Sequence, residues 1–335
     1  KTLINKLVIV DGQPGCGKTM LSPIISSFKR VELISYAFEV EFISRLYKFK
    51  KISKDAAESM IKMLTDQKIY QTMMGRDVNF RIQDISSIFN YHNPDKYLKR
   101  IYDKGDETIP NKIKINKPIL NFTTHDMLYY SDILFESLNN KLFFIEVVRH
   151  PLYMLNQQTL NMERLINNPR DIQLSFRFNN KDIPYFVKGW EQDFLSSNDV
   201  DKAILTIYNL SKKNSIKRKK IKSKKNYLLI PFEDFVTNPN IYINKILKGL
   251  STSFSKNTKK ILKQQKIPRK KISDSISLDI YKRCGWKPSK TNINEIDELK
   301  LRRDFALKNK ASDKAMNILD KLSKDYEKEY MKNKL

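Results

Sequence analysis

The sequence predicts a three-layer α/β fold with a central parallel sheet, a helical insertion and a helical C-terminal region. Three observations predict it. Short, continuous apolar runs such as "KLVIV" (6–10) and "KLFFIEVV" (141–148) read as strands buried on both faces, the pattern of a parallel sheet. Between them lie segments whose apolar residues recur every three or four positions, the spacing of helices. Finally, three strands end in polar clusters, "GQPGCGKT", "TTHD" and "RHP". Ligands in open α/β sheets bind at such carboxyl ends.

The first strand runs directly into "GQPGCGKT" (12–19), and "MLSPIISSF" follows as a helix start. Strand, Gly-rich loop and helix in that order are the context a phosphate-binding loop requires, so the fold is expected to be P-loop NTPase-like. "VELISYAF" (31–38) reads as a second strand. Residues 39–103 carry helical spacing throughout, and the helical insertion is drawn at 39–117. Such a block either caps the active site and shapes an acceptor pocket or packs as ordinary helices. "PILNFTTHD" (118–126) is a strand, "MLYYSDILFESL" a helix, and 141–148 the strongest core strand. Residues 152–166, 181–197 and 199–213 read as helices. "KKNSIKRKKIKSKK" (212–225) holds nine Lys or Arg in fourteen residues and reads as a solvated basic loop. "YLLIPF" (227–232) is a strand followed by the helix "IYINKILKGL", and the rest is polar and helical, broken by "YKRCGWKPSK" (281–290). The whole reads as one domain, 1–335.

With 335 residues, 40% of them hydrophobic, the chain can bury a sizeable core. No apolar run approaches the ~20 residues of a membrane span. Residues 1–10 read as a lysine-flanked strand rather than a signal peptide, although the lack of Met at position 1 leaves room for an upstream segment. Two cysteines, Cys16 and Cys284, are too few for a disulfide framework, so a reducing, cytoplasmic setting is expected. The net charge of +26 suits polyanionic partners. Yet Lys, Asn and Ile are all abundant, as A/T-rich coding alone produces, and no nucleic-acid motif or zinc spacing is present. Nucleic acid is therefore not an expected partner. A polyanion-binding module built around 212–225 is the non-enzymatic alternative.

In the loop, Gly12, Gly15 and Gly17 let successive N–H groups point inward, and the helix after them favours an anion. Lys18 adds a mobile positive charge, and Thr19 offers a hydroxyl to a phosphate oxygen or to Mg²⁺. Cys16 reads as a small loop filler. An ATP-using enzyme normally holds Mg²⁺ with an Asp at the end of a buried strand. Here the best strand ends in Arg149, His150 and Pro151, the direction of Glu146 is open, and Asp126 is the acid available for recruitment. A basic residue in that place points to a dianion held by arginine, with no metal expected. Of the three histidines, His92 reads as a loop residue and His150 as a turn-orienting one. His125, at a strand end in the layer of the loop, reads as a general base.

In these residues the chain resembles the sulfotransferases that use 3′-phosphoadenosine 5′-phosphosulfate (PAPS). "QPGCGKTML" resembles the family's 5′-phosphosulfate loop, which implies cofactor contacts from Pro14, Gly15, Cys16, Gly17, Lys18, Thr19 and Met20. "NFTTHDMLYYSDILFESLNNKLFFIEVVRHPLYMLNQQ" resembles its strand–helix–strand unit, with the catalytic His at His125 and Arg-x-Pro at Arg149 and Pro151. "NYLLIPFEDFVTNPNIYINKILKGL" is similar to its Tyr-Glu-Asp strand, with Phe232 in the Tyr place, and "KRCGW" to its late basic turn, at Arg283. The resemblance implies sulfuryl transfer from PAPS to a hydroxyl or amine of a small-molecule or carbohydrate acceptor. His125 and Lys18 would be catalytic, and Arg149, Gln157 and Arg283 would hold the 3′-phosphate of PAPS and of its product PAP. The sequence departs from the family at Gly15, where many members carry Lys or Arg, at Gln157 in place of Ser, and at Thr123 in place of Lys. The Walker-type Lys18 keeps a kinase or NTPase using ATP and Mg²⁺ as the alternative.

Overall fold

The computed structural model describes residues 2–164, 166, 172–272 and 293–331. In chain order its first elements are β1 (Lys6–Asp11), α1 (Lys18–Ser26), β2 (Val31–Tyr36), α2 (Phe38–Lys48) and α3 (Lys54–Met74). Next come α4 (Asp95–Arg100), α5 (Ile109–Asn116), β3 (Ile119–Thr123), α6 (Asp132–Leu138), β4 (Leu142–Val148) and α7 (Pro151–Arg164). The remainder comprises β5 (Ser175–Phe178), β6 (Lys181–Pro184), α8 (Glu191–Ser196), α9 (Asp199–Ile221), β7 (Tyr227–Pro231), α10 (Phe232–Thr237), α11 (Pro239–Leu250), α12 (Thr258–Gln264), α13 (Glu295–Lys308) and α14 (Asp313–Tyr330).

Five strands form one parallel sheet in the order β2-β3-β1-β4-β7. In β1, Leu7, Val8, Ile9 and Val10 are all fully buried, as are Leu142, Phe144 and Ile145 of β4. Successive strand residues point to opposite faces, so both faces of the sheet are covered and the fold is a three-layer α/β one. The central strand β1 pairs with β3 through Val10 opposite Thr123, and with β4 through Asp11 opposite Glu146. The loop after β1, the turn after β3 and the turn after β4 therefore sit side by side along one edge. The core runs through β1, β3, β4 and the inner faces of α1, α6, α7 and α9.

The residues from α2 to α5 form a helical block fastened to the sheet through Glu32 of β2. That carboxylate is buried and accepts hydrogen bonds from Lys96, Tyr97 and both guanidinium nitrogens of Arg100 at 2.7–3.0 Å. Burial opposes its charge, but the Lys96 and Arg100 cations bring its pKa down to about 2.

Three expectations need correction. Residues 39–103 are not helical throughout: between α3 and α4 the chain is irregular, with a single 3-10 turn at Ile88–Asn90. Residues 181–197 are not one helix: β5 and β6 form an antiparallel hairpin, followed by a 3-10 turn at Tyr185–Val187 and then α8. The cause is the pair Asn179 and Asn180, both left-handed at φ 48° and 60°, which suits a tight two-residue hairpin turn. Nor is the basic run 212–225 a loop, because helix α9 continues through it to Ile221. Leu210, Asn214, Lys217 and Ile221 recur at helical spacing on its buried side. Lys217 pairs with Asp132, and Arg218 grips buried Glu146 with two hydrogen bonds of 3.0 and 2.8 Å. Those partners neutralise charges that in the sequence alone suggested solvent. Among the described residues no helix is long and apolar enough to cross a membrane.

Candidate active site

The loop between β1 and α1 is shaped by close backbone approaches. Gly17, the N-cap of α1, has φ +98°, and a Cβ there would lie 2.2 Å from the Phe232 ring. Gly15, at φ +87°, packs against α7, where a Cβ would lie 3.2 Å from Met154 Cα and 3.3 Å from Gln157 Cβ. Only glycine satisfies both the left-handed backbone and the missing volume. Cys16 donates its amide to the Gln13 carbonyl, while the amides of Gly15, Gly17 and Thr19 meet no backbone carbonyl among the described residues. They stand at the N-terminal end of α1 as free donors, the arrangement that receives phosphate. Lys18 is buried, and its Nζ donates to the Gly12 carbonyl at 2.8 Å, which holds the ammonium within the curl of the loop. Burial pushes the Cys16 thiol up, so it acts as filler beside Gly12 rather than as a thiolate.

His125 follows β3 on a turn that Asp11 closes. The Asp11 carboxylate accepts from Thr124 Oγ1 at 2.9 Å and from the amides of Met127 and Leu128 at 3.0 Å. The histidine is then gripped from α2. Glu41 Oε1 accepts the His125 backbone amide at 2.9 Å and lies 3.2 Å from ring Nδ1. One helical turn on, Arg45 donates to Glu41 Oε2 at 2.8 Å, to the His125 carbonyl at 2.6 Å and to the Tyr185 hydroxyl at 2.9 Å. Burial opposes the charge of Glu41, yet the His125 hydrogen bonds and the Arg45 guanidinium hold its pKa below the usual value. The imidazole lies parallel to the rings of Tyr36 and Phe38, each with its centroid 6.1 Å away. Among the described residues its Nε2 has no partner.

Arg149, at the end of β4, donates to the Gly15 carbonyl at 3.0 Å, and its guanidinium lies 4.2 Å from the Phe232 ring centroid and 5.0 Å from that of Tyr153. Its Nε is buried without a hydrogen-bond partner, and no carboxylate pairs with it among the described residues. His150 is fully buried: its ring bonds Glu327 at 3.1 Å and accepts the Leu152 amide, so it orients the turn. Glu146, whose direction the sequence left open, points to Arg218 and Tyr227.

Two cavities flank the loop. One, of about 310 Å³, is lined by Pro14, His125, Asp126 and Gln157, with walls from Phe38, Phe42, Tyr185 and Phe186. The other, of about 710 Å³, lies between the end of β4, α9 and α14 and is lined by Gly12, Cys16 and Arg149. Pro14, His125 and Gln157 thus share one cavity and Arg149 borders the other, so Gln157 and Arg149, expected at a single phosphate, face different spaces. Met20 is buried, in contact with Arg269 at 3.6 Å, and borders neither cavity. Arg283 lies outside the described residues.

Two residues of the site escape a sequence reading. Glu41 and Arg45 carry charge on the apolar face of an amphipathic helix, at the four-residue spacing of an ion pair, and that was the available signal. Asp126, the acid that the sequence offers for recruitment, is left-handed at φ 55° and buried. Its Oδ1 is buried with no hydrogen-bond partner among the described residues. Desolvation, only partly offset by Lys18, pushes its pKa up to about 7. Among the described residues no group of three or more His, Cys, Asp or Glu is placed to hold a metal ion.

The fold and site define a three-layer α/β protein with a phosphate-loop-like turn at its central strand. No family model matches the sequence, and no curated protein sequence matches it. Among solved structures, the sulfotransferase domain of the Synechococcus PCC 7002 olefin synthase is 12% identical, covering 91% of this chain and 96% of its own, at a TM-score of 0.39. The sulfotransferase domain of the curacin biosynthetic pathway is 12% identical, covering 96% and 98%, at 0.41. A mouse sulfotransferase complexed with PAP is 11% identical, covering 95% and 89%, at 0.36. At such identities and scores these likenesses concern the fold, and function is weighed from the geometry of the site.

Proposed function

We propose that this chain is a sulfotransferase that moves a sulfuryl group from PAPS to an acceptor hydroxyl or amine. One observation carries the reading: a Gly-rich turn, a gripped imidazole and an arginine that has no carboxylate partner among the described residues stand at three adjacent strand ends. The free loop amides, Lys18 and Thr19 would hold the 5′-phosphosulfate, and Arg149 the 3′-phosphate. The acceptor oxygen or nitrogen attacks sulfur, its proton passes to His125 Nε2, and the bond from sulfur to the phosphate oxygen breaks. The electron pair leaves with PAP. Charge grows on that phosphate, where Lys18 and the loop amides oppose it. Lys18 must first release the Gly12 carbonyl to reach it. The cavity of about 310 Å³, walled by Phe38, Phe42, Tyr185 and Phe186, suits a small, largely apolar acceptor better than a glycan.

A second reading, Mg²⁺-dependent phosphoryl transfer from ATP, is favoured by Asp126, a carboxyl within electrostatic reach of Lys18 whose Oδ1 has no hydrogen-bond partner among the described residues. A thermal-shift panel of PAP, ADP and ATP–Mg²⁺ separates the two. PAP at a hundredfold excess over its Kd is expected to raise Tm by about 5 °C, with ADP and ATP–Mg²⁺ ineffective. Stabilisation by ATP–Mg²⁺ and not by PAP would replace the first reading with the second.

A further inference from the structure

The clamp on His125 has a chemical consequence that the general-base role alone does not supply. We infer that Glu41 is the positioning residue of the site: it fixes His125 as the Nδ1–H tautomer and so leaves Nε2 as the basic nitrogen facing the acceptor. The proposal rests on the reading of His125 as the base, and it concerns a residue of the helical block, outside the three strand ends.

The argument runs through donors and acceptors. Glu41 is 2% exposed and in an ion pair with Arg45 at 2.8 Å, so it is a carboxylate. A carboxylate only accepts hydrogen bonds. The Nδ1···Oε1 contact of 3.2 Å therefore requires hydrogen on Nδ1. A neutral imidazole carries one hydrogen, which leaves Nε2 with the lone pair. Glu41 and Arg45 together bind the amide, the carbonyl and the ring of His125. Rotation of the ring would break the Nδ1 contact and leave the buried Oε1 short of a donor. When His125 takes the acceptor proton, the imidazolium forms beside a fixed negative charge. This is the general pattern of a base oriented by a third group.

The clamp also links base and acceptor. Phe38 and Phe42, which wall the smaller cavity, lie on the same turns of α2 as Glu41. A shift of α2 would move the acceptor wall and the imidazole together. The charged and titratable groups around the ring are Glu41 and Arg45 from α2, Tyr36 of β2 stacked against it, Asp126 on its own turn, Tyr185 beyond Arg45, and Lys18 of the loop, which acts on Asp126. Of these, only Glu41 touches Nδ1.

The test is long-range ¹H–¹⁵N NMR of the histidine side chains in the full ¹⁵N-labelled chain. Only three histidines are present, His92, His125 and His150, and H125Q assigns the signal. The expected result is His125 with Nδ1 protonated and Nε2 bare above neutral pH. An Nε2–H tautomer in the wild type overturns the proposal whether or not the chain transfers sulfuryl groups, and it does so even if variants at Glu41 fail to fold. E41Q, which keeps the shape but can present an amide N–H to the ring, is expected to show mixed tautomers. In a transfer assay E41Q should lose about 100-fold in kcat with acceptor KM changed by less than about threefold. The acidic limb of its kcat/KM profile should move to lower pH, and E41D should recover part of the rate. A kcat and pH profile unchanged in E41Q would also overturn the proposal. A wild type with the expected tautomer but no transfer activity would refute the sulfotransferase reading and leave the role of Glu41 in place.

Discussion

Asp126 is a buried carboxyl whose Oδ1 has no hydrogen-bond partner among the described residues, and that arrangement costs stability. Its pKa is about 7 in the native chain against an ordinary value of 3.8. Between those values the native state binds the proton more tightly than the unfolded chain, so stability falls as pH rises through this window. The penalty is complete above pH 7 and absent below about pH 4, and three pKa units correspond to about 4 kcal/mol. Asp126→Asn should therefore stabilise the chain by up to about 4 kcal/mol at pH 8 and by almost nothing at pH 4. Urea unfolding at both pH values checks this, and an equal gain at both would show that desolvation is not the cause. At this scale the sequence was a partial guide. It supplied Lys18, His125 and Arg149, because each stands in or beside a motif at a strand end. It could not show that Asp126 is stranded, since burial depends on α2 and the loop closing over it. Nor did it show Glu41 and Arg45, whose partner lies some eighty residues away.

At the scale of elements, the buried strands were legible because an uninterrupted apolar run has few other uses. Helix α9 was misread for the opposite reason. Charge density suggested solvent, but two of its cations are the partners of buried or half-buried acids on other elements. Within one helix the run therefore contains two kinds of cation. Arg218→Ala leaves Glu146 buried with Tyr227 as its one remaining partner among the described residues and should cost about 3 kcal/mol. The combined change of Lys219, Lys220 and Lys222, all exposed, to Ala should cost less than about 1 kcal/mol. Chemical denaturation of the two variants decides, and comparable losses would mean that the exposed lysines too are structural. The hairpin β5–β6 was missed because its signal was the Asn-Asn turn, which helical spacing on the far side obscured.

Across the whole molecule the net charge is +26, and most lysines lie outside any buried pair. Self-repulsion of that size opposes compactness and is screened by salt. Raising NaCl from about 20 to 300 mM shortens the Debye length to below about 10 Å and should raise Tm by several degrees, read by differential scanning fluorimetry. A Tm that falls with salt would show that surface pairs such as Lys54–Glu136 outweigh the repulsion. The architecture as a whole was readable because buried apolar runs alternate with segments of helical spacing, although the order of the strands in the sheet was not. The clamp from α2 was not readable in this way, because it depends on how the inserted block leans on the sheet.

The ring of Phe232 that fills the space above Gly17 sets a schedule for the making of the protein. The loop leaves the ribosome well before its cover, which opens α10, just past the last strand of the sheet. Roughly two hundred residues separate the two, which at about 5–20 residues per second is tens of seconds of synthesis. Through that interval the nascent loop lacks the surface against which its left-handed turn is packed. A chain truncated before Phe232 would carry the whole glycine-rich motif and still lack the ring against which Gly17 packs.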